Sequence, residues 1–178
     1  MMIGEIRDLE TAKIAIEAAL TGHLVFSTLH TNDSAGAITR LLDMGVEPFL
    51  LASSLECVVA QRLVRRLCPA CKRPYQPDGA LLRSAGFPAE GLAGATVYEA
   101  AGCDKCRQSG YRGRMGIYEV LEINESIETL IPARAPSSVI KQKAVEQGML
   151  TLRNDGFMRV LDGLTTIDEV LRVTEESA

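Results

Sequence analysis

The chain has 178 residues, 47% of them hydrophobic, enough for one ordinary domain or two small ones around a buried core. Its net charge of −4, its 4% aromatic content and its lack of Trp argue against a nucleic-acid binder, which needs a basic surface and stacking platforms. Five Cys without a signal-peptide pattern point to a reducing compartment, and no apolar run approaches the ~20 residues of a membrane span, so any membrane link runs through a partner.

The first 32 residues read as strand, helix, strand. Met1-Met2-Ile3 is apolar and ends at Gly4-Glu5. Asp8 can cap a helix over residues 9–20, and Gly22 stops it. Leu24-Val25-Phe26 is a second apolar run, ending in Ser27-Thr28-Leu29-His30. Two short apolar runs joined by a helix make a parallel pair with a right-handed crossover. Ligands bind at the carboxyl edge of such pairs, where Glu5 and His30 both fall. Met1 stands almost inside the first strand, as expected of a piece of a longer protein.

A polar turn, Thr31-Asn32-Asp33-Ser34, then caps a helix over residues 35–44 with Ile38, Leu41 and Leu42 on one face and Gly45 as its stop. Pro48 opens the longest expected helix, residues 48–67, from the three-and-four spacing of Leu51, Leu55, Val58, Val59 and Leu63. Arg62, Arg65 and Arg66 would complement its dipole on a solvated face, or face a phosphate or a neighbouring subunit. Cys57 reads as a small core residue of that helix.

Cys68-Pro69-Ala70-Cys71 and Cys103-Asp104-Lys105-Cys106 are two C-x-x-C pairs. Each can form a knuckle whose backbone N–H groups point at sulfur, and four thiolates satisfy tetrahedral zinc. Residues 72–102 between them exceed the usual spacing of about 15–20 and read as an inserted loop, with Leu81, Leu82 and Phe87 hinting at a small helix. The rival is a redox dithiol, which usually occurs once, at a strand-to-helix turn; two copies favour a closed structural metal site. Residues 108–116 form a Gly-rich basic turn, either a plain turn beside the knuckle or a phosphate cradle without the closing Lys of a P-loop. A strand over residues 117–121 follows. Helices are expected over 127–131, 136–147 and 152–161, and Thr166 to Glu169 reads as a capping box for a last helix ending near 174.

No G-x-x-x-x-G-K-S/T occurs in the sequence, so these residues alone cannot complete a nucleotide-hydrolysis site. Glu5 at a strand end could orient or deprotonate water or help hold Mg²⁺, with His30 facing a γ-phosphate; on residue types alone the plainer readings are favoured, an ordinary exposed residue after a strand for Glu5 and a loop histidine hydrogen-bonded to the backbone for His30. Ser27, His30 and Asp33 could in principle form a hydrolytic triad, but no G-x-S-x-G elbow supports one.

The segments GEIRDLETA, TGHLVFSTLHTN, ITRLLDMGVEPFL and AQRLVRRLC, the two C-x-x-C pairs, GYRGRMGIYEVL and GLTTIDEVLRVT occur in order, and the chain resembles the carboxyl-terminal part of a bacterial type II secretion traffic ATPase. Type IV pilus assembly ATPases are close relatives. The resemblance implies an α/β fold. Residues 1–66 would be the second part of a RecA-like parallel-sheet core, 67–121 a tetracysteine zinc subdomain with an inserted loop, and 122–178 a helical carboxyl-terminal region. Gly4-Glu5 would end the Walker B strand, with Glu5 and His30 catalytic; His23 and His30 would be the histidines of a histidine box, and Arg7 and Arg40 would lie near the nucleotide or a subunit boundary. Cys68, Cys71, Cys103 and Cys106 would hold structural Zn²⁺. The implied whole protein is a homo-hexameric motor, cytoplasmic and peripheral to the inner membrane, that uses ATP and Mg²⁺ and docks on inner-membrane secretion platform proteins, with no nucleic acid. This segment is expected to be inactive alone. A pilus motor and a non-catalytic zinc-stabilised interaction module are the alternatives.

Overall fold

Short polar signals start several of the helices, as a computed structural model of the chain shows; it describes residues 1–84, 86–87 and 96–174. Asp8 Oδ1 accepts the Thr11 N–H at 2.8 Å and starts helix α1, Leu9–Leu20. Asp33 does the same for α2, Ser34–Asp43, through the Gly36 N–H at 2.9 Å. Pro48 occupies the first turn of α3, Pro48–Ser54, where its missing N–H costs nothing. Strands β1 (Cys57–Leu67), β2 (Lys72–Tyr75), β3 (Val97–Ala100) and β4 (Tyr111–Glu122) follow, with α4 (Gly79–Ser84) between β2 and β3 and a 3₁₀ turn at Asp104–Cys106. Helices α5 (Glu125–Glu128), α6 (Ser137–Glu146), α7 (Leu152–Leu161) and α8 (Ile167–Thr174) complete the chain.

The chain packs as two units, each discontinuous in sequence: residues 1–60 with 119–149, and 61–118 with 150–178.

In the first unit Met2 and Phe26 form a parallel bridge, and α1 connects them. The ladder runs on through Ile3 N–H to Phe26 O and Ile6 N–H to Thr28 O, both 2.9 Å. The buried core joins Ala12 and Ile16 of α1 to Ile38, Leu41 and Leu42 of α2, Leu51 of α3, Leu121 of β4 and Ile140 of α6. Met2, Leu24 and Phe26 of the parallel pair are exposed.

In the second unit β2 and β3 pair antiparallel, Lys72 opposite Ala100 and Tyr75 opposite Val97. Val97 packs with Leu82, Phe87, Phe157, Val160, Ile167 and Val170, and the Phe87 and Phe157 rings stack with centroids 3.6 Å apart. The small helix read from Leu82 and Phe87 is α4; the Leu81 side chain, and residues 88–95 of the expected inserted loop, lie outside the described residues.

Three sequence expectations are corrected. The 48–67 helix ends at Ser54, and residues 57–67 form strand β1, paired with β4. The spacing of Leu51, Leu55, Val58, Val59 and Leu63 fits a helix, but from Val58 onward even-numbered residues are half-buried or buried and odd-numbered ones exposed as far as Arg65. That alternation suits the β-branched Val58, Val59 and Val64. Arg62, Arg65 and Arg66 therefore complement no helix dipole, and Cys57 is exposed rather than in a core. The Gly-rich stretch is a turn only as far as Gly110; Tyr111–Glu122 is strand throughout. The capping box at α8 is half formed. Thr166 Oγ1 accepts the Glu169 N–H at 3.3 Å, but the Glu169 carboxylate is drawn to Arg65 and Arg172.

Candidate functional site

The parallel ladder brings Glu5 and His30 together. Thr28 Oγ1 donates to the Gly4 carbonyl at 2.8 Å, holding the two strand ends side by side. Just beyond that tie, His30 Nε2 stands 2.8 Å from Glu5 Oε2. The other carboxylate oxygen, Oε1, lies 2.5 Å from Arg7 Nη2. The Glu5 side chain is 29% exposed and that of His30 85%, so the pair sits at an open surface with its carboxylate partly shielded.

The Arg7 hydrogen bond, followed by that from His30, holds the Glu5 carboxyl below the usual carboxylate range. Glu5 in turn raises Arg7. Glu5 is thus ionised at neutral pH, and each of its oxygens keeps lone-pair capacity beyond one hydrogen bond. Such a carboxylate can accept a proton-bearing group, orient a water or bind a cation, while His30 offers an imidazole beside it.

The remaining candidates are placed differently. Gly4 supplies the carbonyl that Thr28 holds, and a Cβ there would meet nothing within 4 Å. His23 precedes the second strand, at the opposite end from His30, and its Nδ1 lies 3.1 Å from Thr21 Oγ1. Arg40 is exposed on the last turn of α2. Asp33 bonds the Gly36 N–H and Lys141 while His30 Nε2 bonds Glu5, so His30 is paired with Glu5 and not with Asp33 as a triad would need.

The second cluster is the cysteines. The Cys68, Cys71, Cys103 and Cys106 sulfurs all lie within 4.8 Å of one another. Cys68 and Cys103 are 4.0 Å apart, and Cys71 and Cys103 are each 3.8 Å from Cys106. A tetrahedron with ~2.3 Å metal–sulfur bonds has edges of about 3.8 Å, so the donor set fits Zn²⁺. The Cys103 and Gly110 N–H groups each point at Cys106 Sγ at 3.2 Å. Burial raises the Cys106 thiol, but those N–H donors outweigh it and bring it down to about 6. Burial and the neighbouring Cys103 push Cys71 up to about 12. Gly110 is required here: its φ is +74°, and a Cβ would stand 2.5 Å from that of Ala100. The sequence pattern announced the cluster; it held no sign of the Arg7–Glu5 pair, because i and i+2 contacts follow no helical or capping rule.

A family model described as Type II/IV secretion system protein matches residues 1–172. The chain is 53% identical over 176 residues to a type II secretion system protein E of Pseudomonas aeruginosa, covering 99% of this chain and 34% of that one. It is 51% identical over 172 residues to the type IV pilus assembly ATPase PilB of Myxococcus xanthus, covering 96% and 30% respectively. The chain therefore spans about a third of the length of these relatives. Among solved structures it resembles the pilus retraction motor PilT with bound ADP, with a TM-score of 0.64 and 25% identity over 99% of this chain and 39% of that one. The fold is also similar to that of the ATPase DotB of Legionella pneumophila, with a TM-score of 0.63 and 21% identity over 97% and 37%.

Proposed function

Because the chain belongs to the Type II/IV secretion system protein family, we propose that it is the hydrolysis side of a traffic ATPase that couples ATP turnover to type II protein secretion. The observation that carries this reading is the 2.8 Å contact between Glu5 and His30 at the carboxyl edge of a parallel strand pair. In this reading residues 1–66 belong to a RecA-like core, 67–121 to a zinc subdomain and 122–178 to a helical region. The exposed Met2, Leu24 and Phe26 fit a wider sheet in the intact protein.

Glu5 orients the attacking water and accepts its proton, and His30 faces the terminal phosphate. Gly4, Arg7, His23 and Arg40 serve nucleotide binding or the boundary between subunits of a hexamer. Mg²⁺, when bound, neutralises phosphate charge; Glu5 is the carboxylate nearest to such a role. Cys68, Cys71, Cys103 and Cys106 hold Zn²⁺ as scaffold, without an open coordination position. The motor works from the cytoplasm against inner-membrane platform proteins; among the described residues no helix is long and apolar enough to cross a membrane.

The 178 residues contain no phosphate-cradling P-loop motif, so this segment alone turns over no ATP. In the intact protein Glu5→Gln lowers turnover about 10²- to 10⁴-fold with nucleotide binding retained. An intact Glu5→Gln variant that hydrolyses ATP as fast as wild type, or turnover by the segment alone, refutes the proposal. A pilus motor is supported by nearly equal identity to PilB, and restoration of secretion or of piliation in strains lacking either motor separates the two. If neither is restored while a platform protein is still retained through the cysteine cluster, the chain is an interaction module.

A further inference from the structure

Groups distant in sequence hold the segment that follows His30. Asp33 caps α2 with Oδ1, while its Oδ2 accepts from Lys141 Nζ of α6 at 2.9 Å. Thr31 Oγ1 donates to the Asp33 carbonyl at 3.1 Å. Ser34 is fully buried, and its N–H and Oγ donate to Glu119 Oε1 at 3.0 and 2.5 Å. Glu119, on β4, is also buried, and Lys141 Nζ stands 3.9 Å from its Oε2. All of these residues belong to one packing unit.

Two carboxylates at the amino end of α2 complement the helix dipole, yet they repel each other, and Glu119 has lost its water. Lys141 is a cation that lies against both. The His30 side chain is 85% exposed, so its place beside Glu5 rests on the backbone on either side of it, Thr28 tied to Gly4 before it and residues 31–34 after it. We propose that Lys141 is a positioning residue for the Glu5–His30 pair, acting through Asp33. Its consequence for turnover rests on the ATPase reading; the positioning itself does not.

The test has two arms. In the 178-residue chain, the ¹⁵N resonances of the His30 imidazole are compared in wild type, Lys141→Met, Lys141→Arg and Asp33→Asn, with Glu5→Ala as the reference for a lost contact. Asn caps helices as well as Asp, so Asp33→Asn removes the charge facing Lys141 while keeping the cap. Lys141→Met and Asp33→Asn are expected to move the His30 Nε2 resonance toward its position in the Glu5→Ala variant, with Lys141→Arg restoring it. The Ser34 amide should exchange about tenfold faster in Lys141→Met and Asp33→Asn, with the Gly36 amide kept by the cap in Asp33→Asn. In the intact protein Lys141→Met is expected to lower kcat about ten- to a hundredfold with KM little changed. A His30 resonance unmoved by Asp33→Asn overturns the inference, even if stability falls. If His30 moves but intact wild-type protein shows no Glu5-dependent turnover, positioning stands and the ATPase reading fails.

Discussion

Glu169 offers a quantitative test of how the second packing unit is held. Its carboxylate is fully buried and accepts the Arg65 N–H at 3.2 Å as well as the Arg65 and Arg172 guanidiniums. Arg65 also lies over the Tyr111 ring, 4.2 Å from its centroid. The two arginine side chains are 51% and 57% exposed. The partners are therefore unequal. Glu169→Gln releases guanidiniums that can reach water, and should cost about 2 kcal/mol, the scale of hydrogen bonds to charged groups. Arg172→Gln leaves Arg65 in place and should cost about 1 kcal/mol. Replacing both arginines strands a buried carboxylate and should cost about 3–5 kcal/mol. By these magnitudes the double arginine variant loses roughly 6–20 °C in Tm, at about 2–4 °C per kcal/mol for a chain of this size.

Burial raises the Glu169 carboxyl, but the Arg65 and Arg172 hydrogen bonds outweigh it, leaving it below the ordinary range. A group whose folded pKa is depressed stabilises above its unfolded value of about 4.3, and that contribution is lost as pH falls through the folded value. The gap between wild type and Glu169→Gln should therefore be full at neutral pH and shrink below about pH 4.3. Urea unfolding followed by circular dichroism measures both effects; taking differences between variants at each pH cancels acid effects shared by all. A double arginine variant as stable as Glu169→Gln, or a gap unchanged at low pH, refutes the argument.

Elemental analysis should find about one zinc per chain, and chelation or Cys106→Ser should unfold the second unit, read as a drop in its Tm; metal-free protein of unchanged Tm contradicts the assignment. Arg7→Ala should raise the Glu5 titration midpoint, followed by carboxyl ¹³C NMR, toward the ordinary value of about 4.3, because Arg7 is the first cause of its depression. A midpoint that does not move would show that Arg7 contributes nothing. Gly110→Ala combines a positive φ with a 2.5 Å approach to Ala100 and should cost roughly 2–5 kcal/mol. Gly113→Ala has φ +80° but nothing within 4 Å and should cost only about 1–2 kcal/mol. Equal losses of thermal stability would mean that contact with Ala100 does not matter.

By itself the sequence determined what short-range chemistry controls. Asp8 and Asp33 announce α1 and α2 because a cap bonds an N–H only three residues away. The C-x-x-C pairs announce the sulfur cluster because each knuckle is local and only one partnership between knuckles remains to be formed. The juxtaposition of Glu5 and His30, though not a role for either, follows from a parallel pair that sends both strand ends to one edge.

Tertiary structure decided the rest. Residues 57–67 carry apolar spacing that suits either a helix or a strand, and the partner that chooses, β4, begins at Tyr111. Glu169 has the position of a capping-box residue, yet the guanidiniums of Arg65, 104 residues away, and Arg172 draw its carboxylate off the helix end. Lys141 reaches Asp33 across 108 residues, and no local pattern marks it. Capping and periodicity act over one or two turns, whereas burial of charge and strand pairing are settled between segments that meet only when the chain is folded.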